Sequence, residues 1–168
     1  MTELLLLRHG LALDPEEARR RGLSDAERPL TEKGRRRCRL AARGLARWLE
    51  SVPRVLTSPL PRARETAEIF ADALGAELEV VDWLRPGVDP QAWFAKPGGG
   101  GDHGRVMWVG HEPQLSRAVA LAIGDGGAAV EMKKSACAAI RFPDLPTLGG
   151  GELAWLLPPR LLRLLGGE

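Results

Sequence analysis

Residues 4–10 read LLLLRHG: Leu4, Leu5, Leu6 and Leu7 in an unbroken run, stopped by Arg8, His9 and Gly10. Four consecutive leucines show no alternation, so the run suits a strand covered on both faces, as in a parallel sheet. Arg8 and His9 then stand where the strand leaves the core. In open α/β sheets that edge, at the carboxyl ends of the strands, is where ligands bind. Gly10 fits a sharp turn and a close approach to the backbone. For three residues alone the favoured reading is a capped strand with a solvated arginine and a hydrogen-bonded histidine, and the rest of the chain decides between the two.

Working outward, the stretch ALDPEEARRRGLSDAERP has Pro and Gly punctuation and no sustained apolar period, which predicts a surface loop. From Thr31 to about Glu50, Cys38, Ala41, Ala42, Leu45, Trp48 and Leu49 recur at helical spacing behind Thr31 as N-cap. Arg36, Arg39, Arg43 and Arg47 fall on the opposite face, which reads as the solvated side of an amphipathic helix. RVLTS (Arg54–Ser58) predicts a second strand. The helix that follows it carries Ala63, Ala67, Phe70 and Leu74 inward, with Ser58 as N-cap and Pro59 as its first residue. ELEVVDWL predicts a third strand and RVMWVG (Arg105–Gly110) a fourth, joined by a connection that ends in four glycines and reads as flexible. A helix beginning near Pro113 places Leu115, Ala118, Val119 and Ala122 inward. SACAAIRF and ELAWLLPP read as later strands, and RLLRLL as a short terminal helix. The recurrence of strand, turn and helix predicts an α/β layered domain with a mostly parallel central sheet and helices on both faces.

Length and composition agree. At 168 residues the chain suits one domain, 1–168, with a substantial core. Lys and Arg number 24 against 22 Asp and Glu, a net charge of +2, so no nucleic-acid partner is expected. Two cysteines, Cys38 and Cys137, are too few for a disulfide framework and read as small buried hydrophobes. With the three histidines they form no metal-ligand spacing, so neither metal nor cofactor is expected. The sequence MTELLLLRHG lacks the pattern of a signal peptide, and no apolar run is of membrane-spanning length; a cytoplasmic monomer without membrane contact is expected.

Three predicted strands end on similar punctuation: RHG after the first, TSPLPRARETA after the second and VGHEP after the fourth. If these strands are parallel, Arg8, His9, Arg62 and His111 converge on one edge of the sheet, near two helix N-termini. Two guanidinium forks and two imidazoles suit a compact, doubly charged oxyanion, with phosphate the obvious candidate. Neutral imidazole can attack phosphorus and carry the phosphoryl group until water removes it. His9 is the expected nucleophile, His111 a donor to a phosphoryl oxygen, and Arg8 and Arg62 the charge-neutralising, phosphate-binding pair.

These same segments, LLLLRHG, SPLPRARETA and VGHEP, resemble the three signatures of the histidine phosphatase (phosphoglycerate mutase-like) superfamily, over Leu4 to about Phe142. The resemblance implies a phosphoglycerate mutase-like fold and transient phosphorylation of His9, with Arg8, Arg62 and His111 as the matching motif residues. Compact length, RPLTEKG (Arg28–Gly34), LRPGVDP and KSACAAIRF are similar to the small SixA-type phosphohistidine phosphatases. The span between the second helix and VGHEP leaves no room for the lid insertions of the superfamily's mutases and many of its phosphomonoesterases. No general acid is assigned; Glu77, Glu79 and Asp82 are the nearest carboxylates and fit an exposed strand equally well. An alkoxide leaving group benefits from a positioned acid, whereas a phosphohistidine whose far nitrogen is protonated releases a neutral ring. The expected function is therefore metal-independent hydrolysis of phosphohistidine on a protein substrate. The alternatives are hydrolysis of small phosphorylated metabolites and, in another class, a non-catalytic phosphate-recognition module. His103 reads as solvated in the glycine-rich loop, Lys133 and Lys134 as residues of a surface turn within reach of the site, Ser58 as a phosphate contact or, already sufficient to explain it, a helix cap, and Glu112 as a helix-start residue or an orienter of an imidazole.

Overall fold

In the computed structural model, residues 1–96 and 104–168 are described. The chain forms a single-domain α/β fold around a six-stranded sheet of order β3-β2-β4-β1-β5-β6. The strands are β1 (Thr2–Arg8), β2 (Arg54–Thr57), β3 (Glu77–Val80), β4 (Gly104–Gly110), β5 (Cys137–Phe142) and β6 (Glu152–Leu157). Pairings β1/β4, β2/β4 and β2/β3 are parallel, whereas β1/β5 and β5/β6 are antiparallel. The sheet is thus mixed and mostly parallel.

The leucine run explains why β1 lies inside. Leu4 to Leu7 are all fully buried. Leu5 and Leu7 pack with the helices α2 (Glu32–Trp48), α3 (Pro61–Leu74) and α5 (Pro159–Leu165) on one face. Leu4 and Leu6 pack on the other face with α4 (Gln114–Ile123) and with Trp93 and Trp108. Burying each such leucine is worth roughly 1.5–3 kcal/mol relative to exposing it, so the run commits β1 to the sheet centre.

Several expectations need correction. The stretch read as a plain loop contains a short helix, α1 (Pro15–Arg20), capped by the Asp14 carboxylate and braced by Glu16–Arg20 and Glu17–Arg21 pairs. Only Ala18 of it is buried, so it has no apolar stripe to betray it. The third strand stops at Val80, where a 3-10 turn, Asp82–Leu84, turns Leu84 into the core and brings Trp83 against Trp108, ring centroids 5.1 Å apart. A second 3-10 segment, Pro90–Ala95, inserts Trp93 beside the same tryptophan. Trp48 is 46% exposed rather than inward and packs against Trp155 in a tilted pair, ring centroids 4.7 Å apart. Helix α3 begins at Pro61 with Leu60 as N-cap, so Ser58 and Pro59 precede it. The glycine-rich segment and His103 lie outside the described residues. Thr31 caps α2 as expected, accepting from the Gly34 amide at 2.9 Å. Among the described residues, no helix is long and apolar enough to cross a membrane.

Candidate active site

Parallel pairing brings the ends of β1, β2 and β4 to one edge. Arg8 pairs with Gly110 and Thr57 with Val109. The pairing runs one residue further on each side, with the His9 amide donating to the Gly110 carbonyl and the Ser58 amide to the Val109 carbonyl, both at 3.1 Å. His9, Ser58 and His111 therefore emerge side by side.

His9 and His111 are both buried, with ring centroids 5.2 Å apart. His9 Nδ1 lies 2.7 Å from the Gly10 carbonyl. A carbonyl only accepts, so Nδ1 holds the proton and Nε2 keeps its lone pair. His111 Nε2 lies 2.8 Å from the Ser58 hydroxyl, and its buried Nδ1 finds no partner among the described residues. Burial pushes both imidazoles down to about 3; the arginines nearby add to it, and for His9 the Gly10 contact opposes it. Both rings are neutral at pH 7.

The arginines frame this pair. Arg8 donates through one terminal nitrogen to the Met132 carbonyl at 2.8 Å, and its Nε is buried without a partner among the described residues. Arg62, in the first turn of α3, donates to the Asp25 backbone carbonyl at 2.8 Å and to its carboxylate at 3.3 Å. Its Nε is likewise buried and unpartnered. Burial holds both guanidiniums below their ordinary range, for Arg62 with Arg28 beside it. Gly10 is required sterically, because a Cβ there would run into Cys38 Sγ. Its amide donates to Thr66 Oγ1 at 3.0 Å, and Thr66 donates in turn to the Arg62 carbonyl at 2.7 Å, so the end of β1 and the start of α3 are tied together.

All four expected residues thus converge, and the structure adds a fifth. Arg28 donates to the Asp25 carboxylate at 2.9 Å and to the Leu13 carbonyl at 2.7 Å, close enough to depress both Arg62 and His111. Its loop is held by Glu65, one carboxylate oxygen of which accepts from the Leu30 amide at 3.1 Å and the other from Arg35 at 2.7 Å. The signal was the RPLTEKG segment, whose first residue was not carried forward as a site residue. Ser58 belongs to the site rather than to a helix cap. Lys134 stands at the rim, its ammonium pushed down by partial burial and then by Arg8 and Arg28, whereas Lys133 pairs with Glu131 at 3.8 Å. Glu112 caps α4 by accepting from the Ser116 amide at 2.9 Å and faces Arg8. Glu79 and Asp82 pair with Arg54 and Arg85, both at 2.9 Å, and Glu77 is exposed on the edge strand. Among the described residues no group of three His, Cys, Asp or Glu has the disposition to hold a metal.

Three guanidiniums around two neutral imidazoles, one with an available lone pair, can hold a dianionic oxyanion and attack it. Known proteins resemble this chain over most of its length. Residues 4–86 match the sequence model described as Histidine phosphatase superfamily (branch 1). An uncharacterized protein of Picosynechococcus sp. is 37% identical over 148 residues, covering 83% of this chain and 84% of its own. A solved structure of the protein histidine phosphatase SixA complexed with tungstate is similar at TM-score 0.75 and 29% identity, over 95% of this chain and 99% of that one. A mycobacterial glucosyl-3-phosphoglycerate phosphatase with VO3 shares the fold at TM-score 0.64 and 17% identity, over 92% of this chain and 98% of that one.

Proposed function

The chain belongs to the histidine phosphatase superfamily, and from that premise we propose that it hydrolyses phosphohistidine on protein substrates through a phosphorylated His9. The observation that supports this reading best is the fixed polarity of His9: its Nδ1 proton is committed to the Gly10 carbonyl, leaving Nε2 as a neutral nucleophile beside Arg8 and Arg62. Nε2 attacks phosphorus and forms a P–N bond as the substrate's P–N bond breaks. The substrate imidazole, already protonated on its far nitrogen, departs as a neutral ring. Water then attacks the phosphoryl group on His9, releasing phosphate and restoring the neutral imidazole. Arg8, Arg28 and Arg62 hold the equatorial oxygens, and His111 donates to one of them.

The carboxylates near the pocket favour a P–N over a P–O substrate. Asp25 is engaged by Arg28 and Arg62, and Glu112 by the Ser116 amide. Neither is poised as an acid for an alkoxide, which needs one more than imidazole does. The likeness to SixA supports the same choice. The guanidiniums supply the positive charge a metal would otherwise bring, so hydrolysis is expected to persist under rigorous chelation; activity lost to chelator and restored by one divalent ion would contradict it. The deciding experiment compares kcat/KM on a phosphohistidine protein, a phosphoramidate and a panel of phosphate esters. Preference for an ester would overturn the reading in favour of a metabolite phosphatase.

A further inference from the structure

Ser58 is fully buried, and the proton on its hydroxyl has few places to go. The hydroxyl oxygen accepts from the Leu60 amide at 3.3 Å and lies 2.8 Å from His111 Nε2. Two arrangements are possible. If Nε2 carried the proton and donated to Ser58, two groups would be left buried without a partner among the described residues, the serine O–H and the Nδ1 lone pair, the donor alone losing about 1–3 kcal/mol. If the serine donates to Nε2, its one donor and one of its acceptor sites are used, and the imidazole proton moves to Nδ1. Only that Nδ1–H is then unpartnered among the described residues, on a ring whose centroid lies 5.2 Å from that of His9.

We propose that Ser58 is a positioning residue that fixes the Nδ1–H tautomer of His111, making a neutral imidazole an obligate hydrogen-bond donor to the phosphoryl group. A neutral imidazole carries one proton for two nitrogens, and the wrong tautomer would aim a lone pair at a phosphoryl oxygen. The charged and titratable groups facing His111 are Arg8 and His9 from the end of β1, Arg62 from α3 and Arg28 from the loop before α2. With three of these permanently cationic, the ring stays neutral in the free protein, so its tautomer decides whether it donates. The assignment of a donor role rests on the proposed phosphoryl transfer, but the tautomer itself does not.

The two can therefore be tested apart. Nitrogen-15 NMR of the histidine rings in the folded, wild-type protein at pH 7 should show His111 protonated at Nδ1, whatever the substrate proves to be; protonation at Nε2 would overturn the inference. In Ser58→Ala the proton should redistribute toward Nε2. On the substrate the enzyme prefers, kcat/KM should fall on the order of tenfold, the scale of one hydrogen bond, with most of the loss in kcat. A variant with the wild-type melting temperature whose ring keeps its proton on Nδ1 would also overturn it.

Discussion

At the scale of single residues, the site divides into groups that react and groups that hold. His9→Ala should abolish turnover while leaving the thermal melt close to wild type, because His9 follows the strand rather than filling the core. Labelled substrate quenched during turnover should leave an acid-labile, base-stable phosphoryl group on His9, as a P–N bond requires; turnover near wild type in the variant would sink the mechanism. Arg62→Lys separates charge from shape. Lysine keeps the positive charge and nearly the same helix propensity, but it cannot both reach two phosphoryl oxygens and hold Asp25. A loss of about a hundredfold in kcat/KM, or about 2.7 kcal/mol, is expected from steady-state kinetics, and near-normal kinetics would reduce Arg62 to background charge. Arg8, His9, Arg62 and His111 were legible because each stands directly beside a strand end or in a helix's first turn. Arg28 was harder: it reaches the site only because Glu65 pins its loop, a contact spanning 35 residues.

Elements meet here through glycine, and that makes a second kind of prediction. Gly44 on α2 lies so close to α5 that a Cβ would collide with the Leu162 carbonyl, and Gly34 lies against the Leu11 carbonyl in the same way. In a lone helix, replacing glycine by alanine gains about 1 kcal/mol. In this packing the sign should reverse, with Gly44→Ala costing about 1–3 kcal/mol in denaturant unfolding while leaving kcat/KM unchanged, since α5 contributes none of the proposed site residues. Gly34→Ala should lower both stability and activity, because the Leu11 carbonyl also receives the Thr31 amide at the end of the Arg28 loop. Equal effects of the two on activity would refute that division. Helix α2 was legible from its apolar spacing, but the close approaches at Gly34 and Gly44 were not, since a close approach needs a partner that only the folded chain reveals. Ser58 was misread for a related reason: SPLPRA offers two prolines, and the second, not the first, opens the helix.

For the whole molecule, alternation of strand and helix made the parallel half of the sheet readable. The antiparallel half was not read from the sequence: β5 and β6 are joined by a loop without a helix, and direct connections of that kind suit antiparallel neighbours. The assembled fold also gives the stability a pH dependence that no segment has alone. His9 and His111 are each pushed down to about 3 by burial, from an ordinary value of 6.5 in the unfolded chain. Between those values the unfolded chain binds protons that the native protein refuses, so stability rises with pH through this window and is lost as pH falls below about 6.5. Carboxylates contribute to any acid transition, so the informative quantity is the difference between proteins. Urea unfolding at pH 7 and pH 4.5 should show a larger loss for wild type than for His9→Gln, whose amide cannot take up the proton. A dianion such as tungstate, which favours protonated imidazoles beside it, should reduce the wild-type loss and leave the variant less changed. Identical acid sensitivity in the two proteins would mean that His9 is not held neutral by the fold, and the neutral nucleophile on which the mechanism depends would lose its physical basis.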